Sequence, residues 1–318
     1  FYGNLGTGAS GVFSLILPYA EFIASVVSGT LPLQVQFFDR SVGTANAWAW
    51  DFNGDGIVDS QLQNPSFTYE FPRAYNVSLQ TDFGVMSSTE QKQGFIQTTI
   101  DPQRLKQVPG QYSSIQAAIN AATDGDYVIV ADGLYFENLL LEGKRITLAS
   151  QFFIDQDSLH IYDTIVDGGM AINPNEGSVL TILPGRNRPG IDPHICGLTL
   201  RNGSGRSIVQ NSIPKRVGGG IFINQANPVI SYNRIIDNDA EDEGGGSYAF
   251  QGLPNWGGMI GTDRFNPGGN VFLGNNSDLG NDIYVGGVSS RDEIKAANCR
   301  FEVFCSSDTT LTDYWATS

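Results

Sequence analysis

Three short apolar segments of this chain each run into a polar turn that carries asparagine. The segments are GLTLRNG (197–203), NRIIDND (233–239) and NVFLGNN (270–276). When the turns are aligned, Asn202, Asn238 and Asn275 follow one another at intervals of 36 and 37 residues. Such a period is typical of solenoids, whose coils stack about 4.8 Å apart because one coil cannot bury its interior alone. We therefore predict stacked coils with an asparagine ladder, the alternative being three unrelated left-handed turn residues.

The composition favours an all-β protein. Glycine occurs 38 times in 318 residues and charged residues make up 16% of the chain, which indicates many tight turns and a weakly charged surface. Hydrophobic residues reach 41%, enough to bury sizeable cores, which argues against disorder. The formal net charge of −15 repels phosphate and anionic lipid, so nucleic acid and membrane surfaces are excluded as leading partners. The same acidity favours solubility, a divalent cation, or a neutral or cationic partner, none of which identifies a reaction.

The first third of the chain consists of short segments in which apolar and polar positions alternate. Examples are LQVQFFD (33–39), AWAWDF (47–52) and YNVSLQTD (75–82). Because such segments are rich in β-branched and aromatic residues and are separated by turn residues every eight to twelve positions or so, they indicate strands of a sandwich. We predict a β-sandwich over residues 20–100.

Four motifs of this region resemble, in order, the strands of a polycystic-kidney-disease (PKD) domain. They are PLQVQF (32–37), WAWDF (48–52), NPSFTY (64–69) and YNVSL (75–79). Arg73 and Ala74 stand where the family usually turns through glycine, which leaves the geometry of that turn open. The resemblance implies an immunoglobulin-like extracellular spacer or binding module, of the kind attached to surface proteins and polysaccharide-active enzymes.

The segment DFNGDGIVDS within this region has the spacing of a calcium-binding loop. Oxygen ligands at alternate positions, with a glycine at the sixth position and a main-chain carbonyl at the seventh, suit Ca²⁺. The ligands predicted in this way are Asp51, Asn53, Asp55, the Ile57 carbonyl and Asp59. The twelfth position is Leu62 instead of the usual glutamate. The alternative is a glycine-rich hairpin whose acidic side chains face water.

Residues 113–122 form the one convincing helical pattern of the chain. Ile115, Ala118, Ile119 and Ala122 recur at helical spacing and predict one apolar face. Ser113 and Gln116 have the spacing of a capping box. The preceding residues, 101–110, contain two prolines and little periodicity, which predicts a short linker.

The segment QYSSIQAAINAATDGDYVIVADGLYFENLLLEGKRITLAS (111–150) resembles the entry of right-handed parallel β-helix proteins of the pectin-lyase-like superfamily. The resemblance implies that residues 111–318 form such a β-helix and that the amphipathic helix caps its first coil. A cap of this kind protects unpaired strand edges from other chains.

Catalysis would require acidic and basic side chains that converge on one face of the coils. The lyases of this superfamily generally use calcium-binding acids beside an Arg or Lys that abstracts a proton, whereas the hydrolases need a close pair of acids. Four candidates occur at the ends of predicted strands: Asp167, Arg201, Asp237 and Asp239. Solvated turn charges are the competing interpretation, which leaves enzymatic activity uncertain. Tyr232, Tyr248 and Trp256 could stack on sugar rings or pack between coils.

Residues 1–19 precede both predicted domains and contain the apolar run VFSLILPY. This run could add a strand to a neighbouring subunit, dock on its own chain, or make a contact without a biological role. A strand donated head to tail would give an open polymer. Cys196, Cys299 and Cys305 are too few for a disulfide framework, and a bridge between the last two is left open.

The sequence therefore favours an extracellular or cell-surface protein with a structural or adhesive role. Self-association through residues 1–19 is the predicted route to filaments. The alternative is a polysaccharide lyase, a glycoside hydrolase or a non-catalytic carbohydrate-binding protein with an accessory PKD domain. The apolar stretch near the start is broken by Pro18 and Glu21, so no membrane insertion is expected.

Overall fold

The computed structural model describes residues 17–186, 190–257, 269–287, 295–296 and 299–301. The chain divides into two compact units. One comprises the chain up to Gly29 together with Gln34–Phe67 and Ala74–Gln97, and the other comprises Thr30–Leu33, Thr68–Arg73 and the chain from Thr98 onward. None of the helices in the described part is long and apolar enough to cross a membrane.

The first seven strands form two antiparallel sheets. They are β1 (Phe22–Ala24), β2 (Ser28–Thr30), β3 (Leu33–Asp39), β4 (Ala47–Asp51), β5 (Ser66–Tyr69), β6 (Ala74–Asp82) and β7 (Ser87–Thr99). The sheet orders are β1-β3-β5 and β2-β7-β6-β4. Phe22 and Phe37 of the first sheet lie 5.3 and 5.6 Å from Trp50 of the second, ring centroid to ring centroid. The alternating apolar residues thus build one aromatic core between two sheets, and the PKD resemblance stays a prediction.

Most of the later strands form three parallel sheets that the chain visits in turn. The elements are β8 (Leu105–Val108), α1 (Ile115–Ala121), β9 (Tyr127–Val130), β10 (Gly133–Phe136), β11 (Leu139–Glu142), β12 (Thr147–Ser150), α2 (Phe152–Asp155), α3 (Leu159–Asp163), β13 (Thr164–Asp167), β14 (Glu176–Gly177), β15 (Leu180–Leu183), β16 (His194–Cys196), β17 (Thr199–Arg201), β18 (Gly205–Gln210), β19 (Ile213–Val217), β20 (Ile221–Asn224), β21 (Val229–Ser231), β22 (Arg234–Ile236), β23 (Ser247–Phe250), β24 (Asn255–Gly257), β25 (Val271–Leu273), β26 (Ile283–Gly286), β27 (Lys295–Ala296) and β28 (Arg300–Phe301). The parallel sheets have the orders β10-β13-β17-β22-β25-β28, β11-β15-β20-β23-β26 and β8-β9-β12-β16-β21-β24-β27. Strands β18 and β19 form a hairpin that joins β14 in a separate antiparallel sheet, in the order β14-β18-β19. This is a parallel β-helix, as predicted.

The interior of the β-helix is built from columns of aliphatic side chains. Register places Val128, Leu148, Ile195 and Ile230 side by side on successive strands, and all four are fully buried. Every coil therefore buries its apolar residues against the coil before and the coil after it.

Helix α1 closes the first coil, and its apolar face is buried as predicted. Its N-cap is Ser114, whose Oγ accepts a hydrogen bond from the Ala117 amide at 3.1 Å, so the predicted capping box of Ser113 and Gln116 is wrong. The Glu137 carboxylate accepts the amides of the first two helical residues, at 2.9 Å each. A distant acid thus supplies the acceptor that a capping box would have taken from within the helix.

Gln116 does not cap the helix, and its side chain instead bonds to the neighbouring strand β11. Its Oε1 accepts the Leu140 amide at 2.7 Å and its Nε2 donates to the Leu140 carbonyl at 3.0 Å. Leu140 lies in β11, the terminal strand of its sheet. One side-chain amide thereby occupies the two main-chain groups that a neighbouring strand would otherwise pair with.

Residues 101–110, predicted as a linker, contain β8 and belong to the β-helix. Leu105–Val108 pairs in parallel with Tyr127–Val130. Strand β8 has only four residues, of which Val108 is buried, so its apolar periodicity is too short to detect in the sequence.

The ends of the chain fall largely outside the described residues. The predicted donor segment 1–19 is described only from residue 17, where Tyr19 pairs with Val42 through hydrogen bonds of 3.1 and 2.9 Å. Self-association through this segment stays a prediction. Cys196 and Cys299 carry free thiols, and Cys305 lies outside the described residues, as does the region after 301.

Candidate functional site

Asparagine side chains form the predicted ladder at the end of β22 and β25, but with a different membership. Asn238 Nδ2 donates to Asn275 Oδ1 at 3.0 Å, and both residues are buried. On the preceding coil the partner is the Gly203 amide, which donates to Asn238 Oδ1 at 2.9 Å. Asn202 is therefore not a rung of the ladder. Asn202 lies one position before the ladder position, its φ is +58°, and its side chain bonds to Asp167.

A second ladder lies at the start of the same strands and was not predicted. Asn233 Nδ2 donates to Asn270 Oδ1 at 3.2 Å, and the Asn233 amide donates to the same oxygen at 3.0 Å. Both side chains are fully buried. The signal was present in NRIIDN and NVFLGN, which carry asparagine at the first and sixth positions. Each apolar strand is therefore bracketed by two amides that tie its turns to the next coil.

Two of the four catalytic candidates meet at the ends of β13 and β17. Asp167 pairs in register with Arg201, whose Nε donates to Asp167 Oδ2 at 2.9 Å. Asn202 Nδ2 donates to the same oxygen at 2.8 Å, and the Gly169 amide donates to Oδ1 at 3.0 Å. Asp167 is 5% exposed, so its carboxylate is buried and fully engaged. We call this group the turn cluster.

The turn cluster keeps Asp167 ionised. Burial raises the pKa of its carboxyl, but the hydrogen bonds and the Arg201 charge outweigh burial and hold that pKa below its usual range. A catalytic acid needs the opposite shift, and a good base needs a pKa nearer neutrality. The arrangement therefore suits a structural carboxylate that fixes two successive turns.

The other two candidates, Asp237 and Asp239, do not join the turn cluster. The Asp237 carbonyl accepts the Asn202 amide at 3.2 Å, so Asp237 is the coil neighbour of Asn202, and it is exposed. Asp239 Oδ1 accepts Asn276 Nδ2 at 3.1 Å on the following coil. Across the described residues, no group of three or more His, Cys, Asp and Glu side chains is placed to hold a metal ion.

A cleft of about 440 Å³ lies beside the first two coils, next to the turn cluster. Asn138 lines it and donates to the Gly168 carbonyl at 3.2 Å, one residue after Asp167. Exposed apolar side chains line much of the cleft: Phe136 (52% exposed), Leu140 (40%), Met170 (69%) and Ile172 (102%). The sequence analysis missed these residues because exposure of an apolar side chain in a turn leaves no periodic signal.

Charged and polar groups stand at the rim of this cleft. Arg206, on hairpin strand β18, donates from Nη2 to Glu176 Oε1 at 3.4 Å, and the Glu176 side chain is 54% exposed. The Arg206 guanidinium also lies 5.6 Å from the centroid of the Phe222 ring. The cleft thus combines an apolar surface with a half-exposed ion pair whose hydrogen-bonding capacity is only partly used.

Two of the three aromatic residues considered for sugar stacking are buried, and the third, Tyr232, is partly buried against another ring. Trp256 is fully buried and Tyr248 is 1% exposed. Tyr248 stacks between Phe222 and Tyr284, with ring centroids 5.6 and 5.3 Å apart. Tyr232 packs 5.0 Å from the Phe152 ring. These side chains contribute to packing between coils.

The predicted calcium loop is a chain of carboxylate and amide turns. Asp51 Oδ1 and Oδ2 accept the amides of Gly54 and Gly56, at 2.7 and 2.9 Å. Asn53 Oδ1 accepts the Asp55 amide at 3.0 Å, Asp55 Oδ1 accepts the Ile57 amide at 2.7 Å, and Asp59 Oδ2 accepts the Phe52 amide at 2.7 Å. In this structure these side-chain oxygens accept main-chain amides, and calcium binding here stays a prediction.

No family model matches this chain, and no curated protein matches it. Among solved structures, it is similar to a solution NMR structure of a Methanosarcina mazei protein, at 26% identity over 30% of this chain and 70% of that chain, with a TM-score of 0.22. It is also similar to the family 28 exopolygalacturonase of Yersinia enterocolitica, at 9% identity over 84% of this chain, with a TM-score of 0.32. The matched region spans 62% of the length of the Yersinia enzyme.

Proposed function

We propose that the protein is an extracellular carbohydrate-binding protein that holds a glycan in the cleft of its β-helix without cleaving it. An adhesive role follows from such binding. The observation that carries the proposal is the cleft itself, because its volume of about 440 Å³ and its mixture of apolar and polar lining match sites for small ligands.

The lining suits the two surfaces of a sugar. The half-exposed Phe136 ring and the exposed Met170 and Ile172 side chains offer contacts to the apolar C–H face of a sugar ring. Glu176 and Arg206 offer an acceptor and a donor to its hydroxyl groups. Arg206 would also pair with a sugar carboxylate, since guanidinium groups recognise carboxylates in a planar, two-bonded geometry.

Binding without turnover is supported by the state of the nearby acids. Of the two carboxylates that line the cleft, Glu137 accepts two amides of α1 and Glu176 pairs with Arg206. Glycoside hydrolysis uses two carboxyl groups, one of which carries a raised pKa. In the turn cluster, Asp167 has a lowered pKa and is bound to Arg201. Asp237 and Asp239 lie on another coil with other neighbours.

The test is glycan-array screening followed by titration calorimetry with the full-length protein. Phe136→Ala should weaken binding of the selected oligosaccharide about tenfold, as expected for loss of one aromatic contact worth about 1.4 kcal/mol. Tyr162→Ala is the matched control, because Tyr162 is 53% exposed on α3 and does not line the cleft. Equal losses in the two variants, or none in Phe136→Ala, would reject the cleft as the binding site.

Turnover is measured on the same oligosaccharides. We expect neither absorbance from unsaturated uronates nor new reducing ends, with or without Ca²⁺. Release of either product, abolished in the cleft variant Glu176→Gln, would instead identify a lyase or hydrolase.

A further inference from the structure

One face of the sheet β2-β7-β6-β4 carries mainly small and polar side chains. Register places Ala47, Asp82 and Ser87 in one row across β4, β6 and β7. The next row contains Ala49, Gln80 and Thr89. The alternating residues of the same strands, such as Trp50 and Leu79, are fully buried on the opposite face. The outer face is therefore built from small and hydrogen-bonding residues.

A trough of about 680 Å³ runs over part of this face. Ala47 and Ala49 form its floor, which lets a ligand approach the sheet closely. Val85, which is 95% exposed, Met86, which is 38% exposed, and the partly buried Trp48 provide its larger apolar side chains. The trough is thus a shaped depression with one apolar wall, and it lies in the unit that does not contain the cleft.

Four polar side chains of the trough have hydrogen-bonding groups that are open to a ligand. They are Asn46, Gln61, Gln80 and Ser87. Their side chains make no hydrogen bond to any residue in the described part of the chain. Asp82, also in the trough, uses Oδ1 to accept the Gly84 amide at 2.7 Å. Three amides and one hydroxyl offer donors and acceptors together, without charge.

We propose that this trough is a second binding site and that it takes a neutral oligosaccharide. Uncharged amides match sugar hydroxyls, which both donate and accept hydrogen bonds. No lysine or arginine lines the trough among the described residues, so a sugar carboxylate would meet Asp82 without a compensating cation. Val85 and Met86 contact the C–H face of the ring above the alanine floor. The cleft differs in this respect, since it contains Arg206.

The site is tested by calorimetric titration of the full-length protein with cellohexaose, xylohexaose, chitohexaose and, as the anionic probe, hexagalacturonate. At least one neutral hexasaccharide should bind, and hexagalacturonate should not compete with it. Gln80→Ala and Gln61→Ala should each weaken the neutral interaction about tenfold, the loss expected for one hydrogen-bonding side chain. Unfolding midpoints should stay unchanged, because neither side chain has a partner to lose.

Gln91→Ala is the matched control. Gln91 lies on the same sheet face opposite Ser78, is exposed, and does not line the trough, so this variant should bind as the wild type does. Phe136→Ala in the cleft should also leave the neutral interaction unchanged, which separates the two sites. The proposal is overturned if none of the neutral hexasaccharides binds, or if Gln91→Ala weakens binding as much as Gln80→Ala.

Discussion

Amide side chains play opposite roles in the two units of this molecule. In the β-helix, Asn233 and Asn238 are buried and bonded to the coils on either side. In the trough over the sheet β2-β7-β6-β4, the side chains of Gln61 and Gln80 are exposed and make no hydrogen bond to another described residue. The first pair holds the fold together, and the second pair is available to a ligand. Residue type alone does not separate these roles, whereas burial and the use of hydrogen-bonding capacity do.

The largest test of this contrast is a pair of alanine substitutions. Asn238→Ala leaves the Gly203 amide and the Leu200 carbonyl without the side chain they bond to, and we expect a loss of about 3 kcal/mol of unfolding free energy. Gln80→Ala should change it by less than about 0.5 kcal/mol. Urea denaturation measures both, and hydrogen exchange by peptide mass spectrometry locates the change.

Exchange protection in Asn238→Ala should fall in the strands β17, β22 and β25 and stay at wild-type level in β4 and β6. Equal losses of unfolding free energy in Asn238→Ala and Gln80→Ala would contradict the distinction between amides that hold the fold together and amides that are available to a ligand.

Acid should weaken the β-helix before the sandwich. Both histidines of the chain are in the second unit. Burial lowers the pKa of His194 to about 4, and its Nε2 lies 2.8 Å from Ser231 Oγ. His194 takes up a proton less readily in the folded chain than in the unfolded chain, where its pKa is about 6.5. The unfolding free energy is therefore unaffected by this residue above about pH 6.5 and falls as the pH drops from there toward 4. We expect a loss on the order of 2 kcal/mol by about pH 4.5.

His194→Gln should remove most of this slope in denaturation experiments at several pH values. His160→Gln is the control with the opposite sign. Burial acts to lower the pKa of His160, but its contacts with Asp132 and Asp155 outweigh burial and raise that pKa. Its contribution is complete below about pH 6.5 and is lost as the pH rises through the folded value. An acid slope that persists in His194→Gln would contradict the assignment.

Calcium should act on the sandwich alone and by the smallest amount. A loop with a dissociation constant of about 0.2 mM, within the range of extracellular modules, would gain about 1 kcal/mol in about 1 mM Ca²⁺. Hydrogen exchange of peptides covering residues 47–62 should slow in Ca²⁺ relative to EDTA. Asp55→Ala should abolish the effect and Asp82→Ala, outside the loop, should keep it. An effect that survives in Asp55→Ala would rule out binding by this loop.

Much of the architecture could be predicted from the sequence because it rests on periodic apolar residues. The helical spacing of Ile115, Ala118, Ile119 and Ala122 predicted the cap, and the asparagine turns predicted the coils. The ladder was misaligned by one residue at Asn202, because Thr199 pairs with Arg234 and Arg234 with Val271, so successive coils differ in length. An alignment on asparagine alone cannot detect a change of coil length.

The candidate sites depended on contacts that leave no local pattern. The predicted cluster of four charged residues was reduced to Asp167 and Arg201, because Asp237 and Asp239 occupy other positions in the stack. Glu137 replaces the predicted cap partner from a separate loop. The trough brings Gln61 together with Gln80 because Ser60 bridges to Trp50 of β4, and β4 pairs with β6. Only the folded chain creates this proximity.

The amide of Gln116 imitates a peptide group at the margin of the first coil. A further coil stacked ahead of β11 would need the same Leu140 amide and carbonyl, so it could form only by expelling this side chain. Helix α1 and its glutamine together therefore set where the solenoid ends in that direction. An apolar residue at this position would leave the Leu140 amide and carbonyl unpaired at the end of the sheet. Another chain could then add a strand there, so aggregation of such a variant should begin at this edge.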